Sequence, residues 1–431
     1  MDRVTVIRFA SLYLPLAWAM LMALARPRLK RMFVACLLSL LWTLPTLLIL
    51  QRINLVTEWW IFSPSRGAIL GMPLEFFLGW AVLWGIVPPL TFRKLDLPEV
   101  IVIMGVADLW VMPLSQPALH FYEHWLLGEA AALALVLAPA FCVTRWTLDN
   151  SHLKLRAALQ VAIAGLLFLF LLPEVVFAIR PLANMSSVWR PLLRTPGILR
   201  QAAIQIIVLL ATPGVSAVTE FAQRGLGTPI PYDPPQRLVT SGIYRYCANP
   251  MQLSCAIVML LWALLLRNPW LVLAAVMATL YSAGIAHWDE ERDLQVRFQE
   301  SWRDYRGSVP GWRFLWRPYH AGAPARLYIA RTCDACSEIR RWIEHRHPIG
   351  LEFIDAETLP KDSIRRVRYD PGDGTAPVEG IVAFARALEH LNLAWAYCGF
   401  TVRLPVVRQV LQLLMDASGL GPRVIQSTCE R

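Results

Sequence analysis

The sequence predicts a polytopic α-helical membrane protein that ends in a smaller α/β domain, and three observations predict it. Apolar residues fill 56% of the 431 positions and charged residues only 17%, against about 45–50% and about 25% in an ordinary soluble domain. Apolar runs approaching the roughly 20 residues that a spanning helix needs recur along the first two thirds of the chain. After Trp316-Arg317-Pro318 they stop, and short strand and helix patterns alternate instead. So apolar a chain cannot hide its surplus in one core, which excludes a disordered, collagen-like or disulfide-stapled protein.

The runs lie near 6–25, 32–50, 68–91, 98–114, 129–144, 157–179 and 201–217, and two shorter ones follow at 252–266 and 269–286, split by Arg267-Asn268-Pro269. The expected count is about nine transmembrane helices. The first run ends in Ala23-Leu24-Ala25, like a signal-peptidase site, but Arg26-Pro27-Arg28-Leu29-Lys30-Arg31 follows at once. So basic a flank resists translocation, and the segment reads as an uncleaved anchor whose following loop stays in the cytoplasm. Nine spans then place everything after about 287 in the cytoplasm, with a bacterial inner membrane as the expected location. The basic loops at Arg93-Lys94 and at Arg145, Lys154 and Arg156 agree with this orientation. The segment 180–200, with four arginines, falls outside and opposes it.

The net charge of +10 is spread over short tracts between apolar runs, the pattern of headgroup anchors, and nucleic acid is not an expected partner. Three domains are expected: an N-terminal transmembrane region over 1–197, a second membrane region over 198–320 and an α/β domain over 321–431. In the last, 325–330, 337–345 and 351–356 read as strand, helix and strand. Further helices are expected at 381–391 and 406–415, the second opened by Pro405.

The residues richest in chemistry flank the short hairpin. A polar loop, Gly242-Ile-Tyr244-Arg-Tyr246, leads to Asn249-Pro250, and the hairpin's exit carries Glu290-Glu291. The Asn-Pro turn frees backbone groups to hold a ligand, and adjacent carboxylates at a membrane exit suit a cation. Pairing of these glutamates with Arg292 or Arg297 is the plainer reading. The linked pattern resembles the integral-membrane methyltransferases that include isoprenylcysteine carboxyl methyltransferases and phospholipid N-methyltransferases, over about 200–318. The resemblance extends to Leu294, Phe298, Trp302, Tyr305 and Val309-Pro310. It departs at Ala248, Gln252 and Gln299, where the family usually has Arg, Tyr and Gly. It implies S-adenosylmethionine as cofactor, bound by Gly242, Tyr244, Tyr246, Asn249, Pro250, Glu290 and Glu291, and a membrane lipid or isoprenoid as acceptor.

Thr332-Cys333-Asp-Ala-Cys336 follows an expected strand and opens a helix. A lone Cys-x-x-Cys reads as a redox pair, as half a zinc site completed by His345, His347, Cys398 or Cys429, or as an inert pair. In the redox reading Cys333 attacks, helped by the helix N-terminus and by Arg331, and Cys336 resolves the mixed disulfide. The segment 325–425, with Tyr328, Asp373-Gly374, Gly380, Ala383, Leu388 and Leu404-Pro405, resembles the thioredoxin-like DCC family. That implies a thioredoxin-like fold, catalytic Cys333 and Cys336 and a thiol or disulfide partner, with no metal. In the N-terminal region, Trp59-Trp60-Ile-Phe62 and Met72-Pro-Leu-Glu75 are similar to membrane lycopene cyclase domains, with Phe76 where that family has a second carboxylate. Glu75, Asp108 and Glu174 are carboxyl groups inside expected spans and so candidate functional groups, Glu75 as a possible intramembrane acid.

Overall fold

The computed structural model describes residues 2–25, 30–181, 185–229, 234–359 and 365–422. The flank Arg26 to Leu29 and Cys429 therefore lie outside the described residues. The chain forms two compact units: one of residues 1–200, 228–234 and 259–275, the other of residues 201–227, 235–258 and 276–431.

Seven helices among the described residues are long and apolar enough to cross a membrane: Arg3–Leu24, Lys30–Thr57, Leu74–Thr91, Leu97–Ser115, Trp125–Leu148, Leu153–Ile179 and Gly197–Gly225. The remaining two of the expected nine are shorter apolar stretches, Pro250–Leu265 and Pro269–Gly284. At 1.5 Å per residue each reaches about 24 Å, against a hydrocarbon core of about 30 Å. The chain reverses between them because Arg267 takes a positive φ of 50° and the Asn268 side chain accepts from the backbone N–H of Trp270 at 3.0 Å, capping the second helix ahead of Pro269. These helices fit a multi-pass integral membrane protein.

In the first unit, Lys30–Thr57 and Leu74–Thr91 are the most enclosed spans. Their core is aromatic: Trp80 stacks on Trp84 one turn along the same helix at 5.9 Å and meets Trp60 edge-on at 6.2 Å. Such pairs add about 0.5–1.5 kcal/mol each beyond their area. Spans pack in lipid mainly through close approach, which small residues permit. Gly79 shows this, because a Cβ there would lie 2.0 Å from the backbone oxygen of Ser11 in the first span.

In the second unit, four strands form one sheet in the order Leu351–Asp355, Ala325–Ile329, Arg368–Asp370, Val378–Glu379. The first pair is parallel and the other two pairings are antiparallel. The helices Asp334–Glu344, Ile381–Leu388, Leu393–Val402 and Pro405–Met415 accompany it. This C-terminal segment shares its packing with the 201–258 segment: Ala217, Val239, Ile243, Tyr244 and Tyr246 bury against Ala396 and Phe400.

A charged cluster lies beside that apolar contact. Glu220, fully buried near the end of the Gly197–Gly225 span, pairs with Arg386, with Arg403 at 2.8 Å and with Arg224 at 3.2 Å. Arg386 and Arg403 also reach Glu389, at 3.2 and 2.7 Å. Taking ions out of water costs several kcal/mol each, and removing one partner leaves the other uncompensated, typically a loss of about 3–5 kcal/mol. Arg386→Ala should therefore destabilise the whole chain by about that amount, whereas Arg366→Ala, which breaks the more exposed pair with Asp416 at 2.9 Å, should cost less than about 1 kcal/mol. Thermal unfolding of the purified protein in detergent checks the ranking; equal losses would contradict it.

Candidate functional site

The two sequence segments flanking the hairpin are brought together. Gly242–Arg245 form one buried 3-10 turn. The Tyr305 hydroxyl donates to the carbonyl of Tyr244 at 2.8 Å, the backbone N–H of Ala248 donates to the carbonyl of Pro310 at 2.9 Å, and the Cys247 thiol lies 3.1 Å from the carbonyl of Gly311. Leu294, Trp302, Tyr305 and Val309 bury together behind this seam.

The seam exists because the helix after the hairpin folds back on itself. The segment His287–Ser308 breaks at Gln299, with φ 44° and ψ −117°. The Trp302 indole donates to Glu291 Oε1 at 2.9 Å, and Arg306 Nε approaches Glu291 Oε2 at 3.5 Å. Eleven residues of straight helix would separate residues 291 and 302 by about 16 Å, so the reversal at Gln299 is what closes the bond. That backbone conformation favours glycine. The resemblance read from the sequence expects glycine at this position, and the fold-back gives that expectation a physical reason.

The two carboxylates have different surroundings. Glu291 is half-buried and engaged: Trp302 holds Oε1, and His287 and Arg306 each stand 3.5 Å from Oε2. Glu290 keeps an exposed edge and makes no hydrogen bond or ion pair among the described residues. Packing around its carboxyl, then the neighbouring Glu291, raise it above the usual carboxylate range. Burial, then Tyr305, Glu290 and Glu220, push the Tyr244 phenol well up. The plainer pairings with Arg292 and Arg297 do not form: Arg292 stacks over Trp288 at 4.9 Å, and Arg297 pairs with Asp293 at 3.0 Å.

Asn249 is buried, its carbonyl accepting from Leu253, and Pro250 opens the first hairpin helix. Tyr246 is fully buried, and its hydroxyl donates to the carbonyl of Glu389 at 3.0 Å. It faces the C-terminal segment, so its part in the site is structural. Gly242 has φ +62°, and a Cβ on it would meet Glu220 Cγ at 2.7 Å. The Ser241 hydroxyl donates to Glu220 Oε2 at 3.1 Å. Glu220, which sequence reasoning missed, thus backs the turn, and through Arg386 and Arg403 the C-terminal segment holds that backing in place. Its only sequence signal is a carboxylate near the end of an apolar run.

Cys333 stands just before the helix Asp334–Glu344 and Cys336 lies in its first turn, both half-buried. The Arg331 guanidinium binds Asp355 at 3.2 Å. Glu357 accepts from the backbone N–H of Arg331 at 2.8 Å and of Thr332 at 3.0 Å, fixing the loop just before Cys333. Among the described residues, no three His, Cys, Asp or Glu side chains cluster as a metal site. In the first unit, Glu75 accepts from Arg8 at 2.7 Å and so is a paired carboxylate. Glu174 pairs with Arg52 and accepts from the Trp189 indole at 2.6 Å. Asp108 is buried beside Glu129.

With this geometry in view, the family model for phospholipid methyltransferase matches residues 206–300. It covers the Gly242 turn, the hairpin and Glu290-Glu291, and supports a methyltransferase. No curated protein and no solved structure matches the chain.

The strain at Gln299 can be measured. Gln299→Gly should stabilise the protein by about 1 kcal/mol, since a residue held in a sparsely populated backbone region costs about 1–3 kcal/mol. A thermal midpoint unchanged or lowered in this variant would mean that the fold-back carries no strain.

Proposed function

We propose that residues 206–300 and the seam behind them form a S-adenosylmethionine-dependent membrane methyltransferase acting on a lipophilic acceptor, a lipid or isoprenoid. The observation that carries the reading is the docking of the Gly242–Arg245 turn against the folded-back helix, with Glu290 on that same segment left without an ion pair among the described residues. Such a carboxylate fits an ammonium group. Glu290 would hold the cofactor's amino group, and Asn249 and the backbone of the turn would line its other side. When bound, the cofactor supplies a sulfonium methyl group, which an acceptor's lone pair takes by in-line displacement, leaving a neutral thioether. The chain's own contribution is alignment and exclusion of water. The cytoplasmic orientation expected from the basic flanks places the site where this cofactor is made.

Removing the partner of a charged ligand group costs about 1.5–3 kcal/mol, so Glu290→Ala should weaken cofactor binding by at least about tenfold. Glu291→Ala should act chiefly on stability, through Trp302 and Arg306. Because the Glu290 carboxyl is raised, it is protonated earlier than usual as pH falls, so affinity should drop on acidification from about pH 7.5 to about pH 5, and Glu290→Gln should flatten that slope. Calorimetry reads all three, and unchanged affinity in Glu290→Ala at every pH removes the assignment. Lipid mass spectrometry after labelling with methyl-deuterated cofactor identifies the acceptor.

A second activity is favoured by one observation, the placement of Cys333 before a helix and Cys336 within its first turn, next to a sheet whose order and strand directions suit a thioredoxin-like domain. In this reading the pair exchanges disulfides with a protein or small thiol partner. Under mild glutathione oxidant the full chain should form a Cys333–Cys336 disulfide that a dithiol reverses, as read by peptide mass spectrometry. A pair that stays reduced throughout would leave this segment with its packing role alone.

A further inference from the structure

The C-terminal segment carries an apolar stripe that is exposed among the described residues. On the helix Pro405–Met415, Val406, Val410, Leu413 and Leu414 are 72%, 50%, 69% and 59% exposed. Their spacing puts them on one side of the helix. On another side, Gln412 accepts from the backbone N–H of Ile381 at 2.9 Å, which anchors the helix to its domain. The preceding helix, Leu393–Val402, is itself apolar.

What lies beyond the stripe is indicated by the neighbouring span. Pro213 sits inside the helix Gly197–Glu220. Proline has no N–H, so the carbonyl four residues earlier, that of Leu209, loses its helical partner. In a bilayer such an orphan costs several kcal/mol, because no water is at hand. The Tyr397 hydroxyl, from Leu393–Val402, donates to that carbonyl. Six residues later Arg403 reaches Ser216 Oγ at 3.2 Å and Glu220 at 2.8 Å. Leu393–Val402 and the residue after it therefore touch the span at two places, Leu209 and Ser216–Glu220, which lie up to about 16 Å apart along it. That span exposes Ile204, Ile206, Val208 and Leu209, an apolar surface of the kind that faces lipid.

We infer that the C-terminal helices are seated in the bilayer that holds the spans, and that Val406, Val410, Leu413 and Leu414 lie among acyl chains. The occupant of the stripe is lipid. The Tyr397 bond fixes the depth, and the stripe continues the lipid-facing surface of the Gly197–Gly225 span. A helix lying in the interface buries one apolar face by about 5–10 Å, and its binding strength scales with the apolar area so buried.

The test uses the full chain reconstituted in phosphatidylcholine vesicles, with an environment-sensitive fluorescent amino acid placed singly at Val410, at Leu414 or, on the exposed helix face of the sheet domain, at Arg341. Lipids carrying a nitroxide on the acyl chain should quench the first two by about twofold or more and leave the third unchanged, as burial of one apolar face demands. Water-like emission without quenching at Val410 and Leu414 would overturn the inference. So would blue-shifted emission without lipid quenching, which reports protein cover such as a second copy. Tyr397→Phe supplies an independent readout: loss of the bond to Leu209 should lower quenching at Val410, and an unchanged value would refute the role given to Tyr397.

Discussion

The second unit depends on keeping Glu220 ionised and buried. A carboxylate near the end of an apolar span is expensive, and three guanidinium groups compensate it. Two of them come from helices more than 160 positions further along the chain. The same carboxylate fills the space behind Gly242, where no side chain fits. One interaction therefore decides both whether the C-terminal segment docks and whether the candidate cofactor turn keeps its shape.

The polar network around it is consistent with that dependence. His390 is fully buried, with Nδ1 2.7 Å from the carbonyl of Ile349 and 3.0 Å from an Arg245 guanidinium nitrogen, and Nε2 2.9 Å from the Tyr369 hydroxyl. Burial, then Arg245 beside it, hold the ring well below its usual range. A base whose folded value is depressed contributes stability above its ordinary value, about 6.5, and loses it as pH falls below that point. Since Arg245 belongs to the Gly242–Arg245 turn, acid would loosen the C-terminal contact and the turn together.

The spans, the hairpin and the acidic pair were legible in the sequence because each is a local pattern: a run of apolar residues, an Asn-Pro step, two adjacent glutamates. Glu220 was not, because its meaning depends on Arg386 and Arg403, and no local pattern links a carboxylate to partners so distant. The same holds for Pro213 and Tyr397. Proline inside an apolar run announces an orphan carbonyl, but only the fold shows which hydroxyl answers it. Gln299 falls between these cases. Its departure from the usual glycine was visible, while the reason for glycine appears only when Trp302 is seen bonded to Glu291. The count of nine spans met a different obstacle, since apolarity alone does not separate a full span from a shorter apolar stretch such as Pro250–Leu265 or Pro269–Gly284.

Why two glutamates stand side by side follows from helix geometry. Consecutive residues point about 100° apart, so both cannot face the same group. Glu291 is turned into the fold-back, where Trp302 and Arg306 hold it and where its charge keeps the reversed segment closed. Glu290 stands outside that contact, without a hydrogen bond or ion pair among the described residues. A carboxylate already held by the Trp302 indole has one oxygen fewer for a ligand, so in the proposed reading Glu291 builds the site and Glu290 is left to meet a cation, a division set by the bend at Gln299.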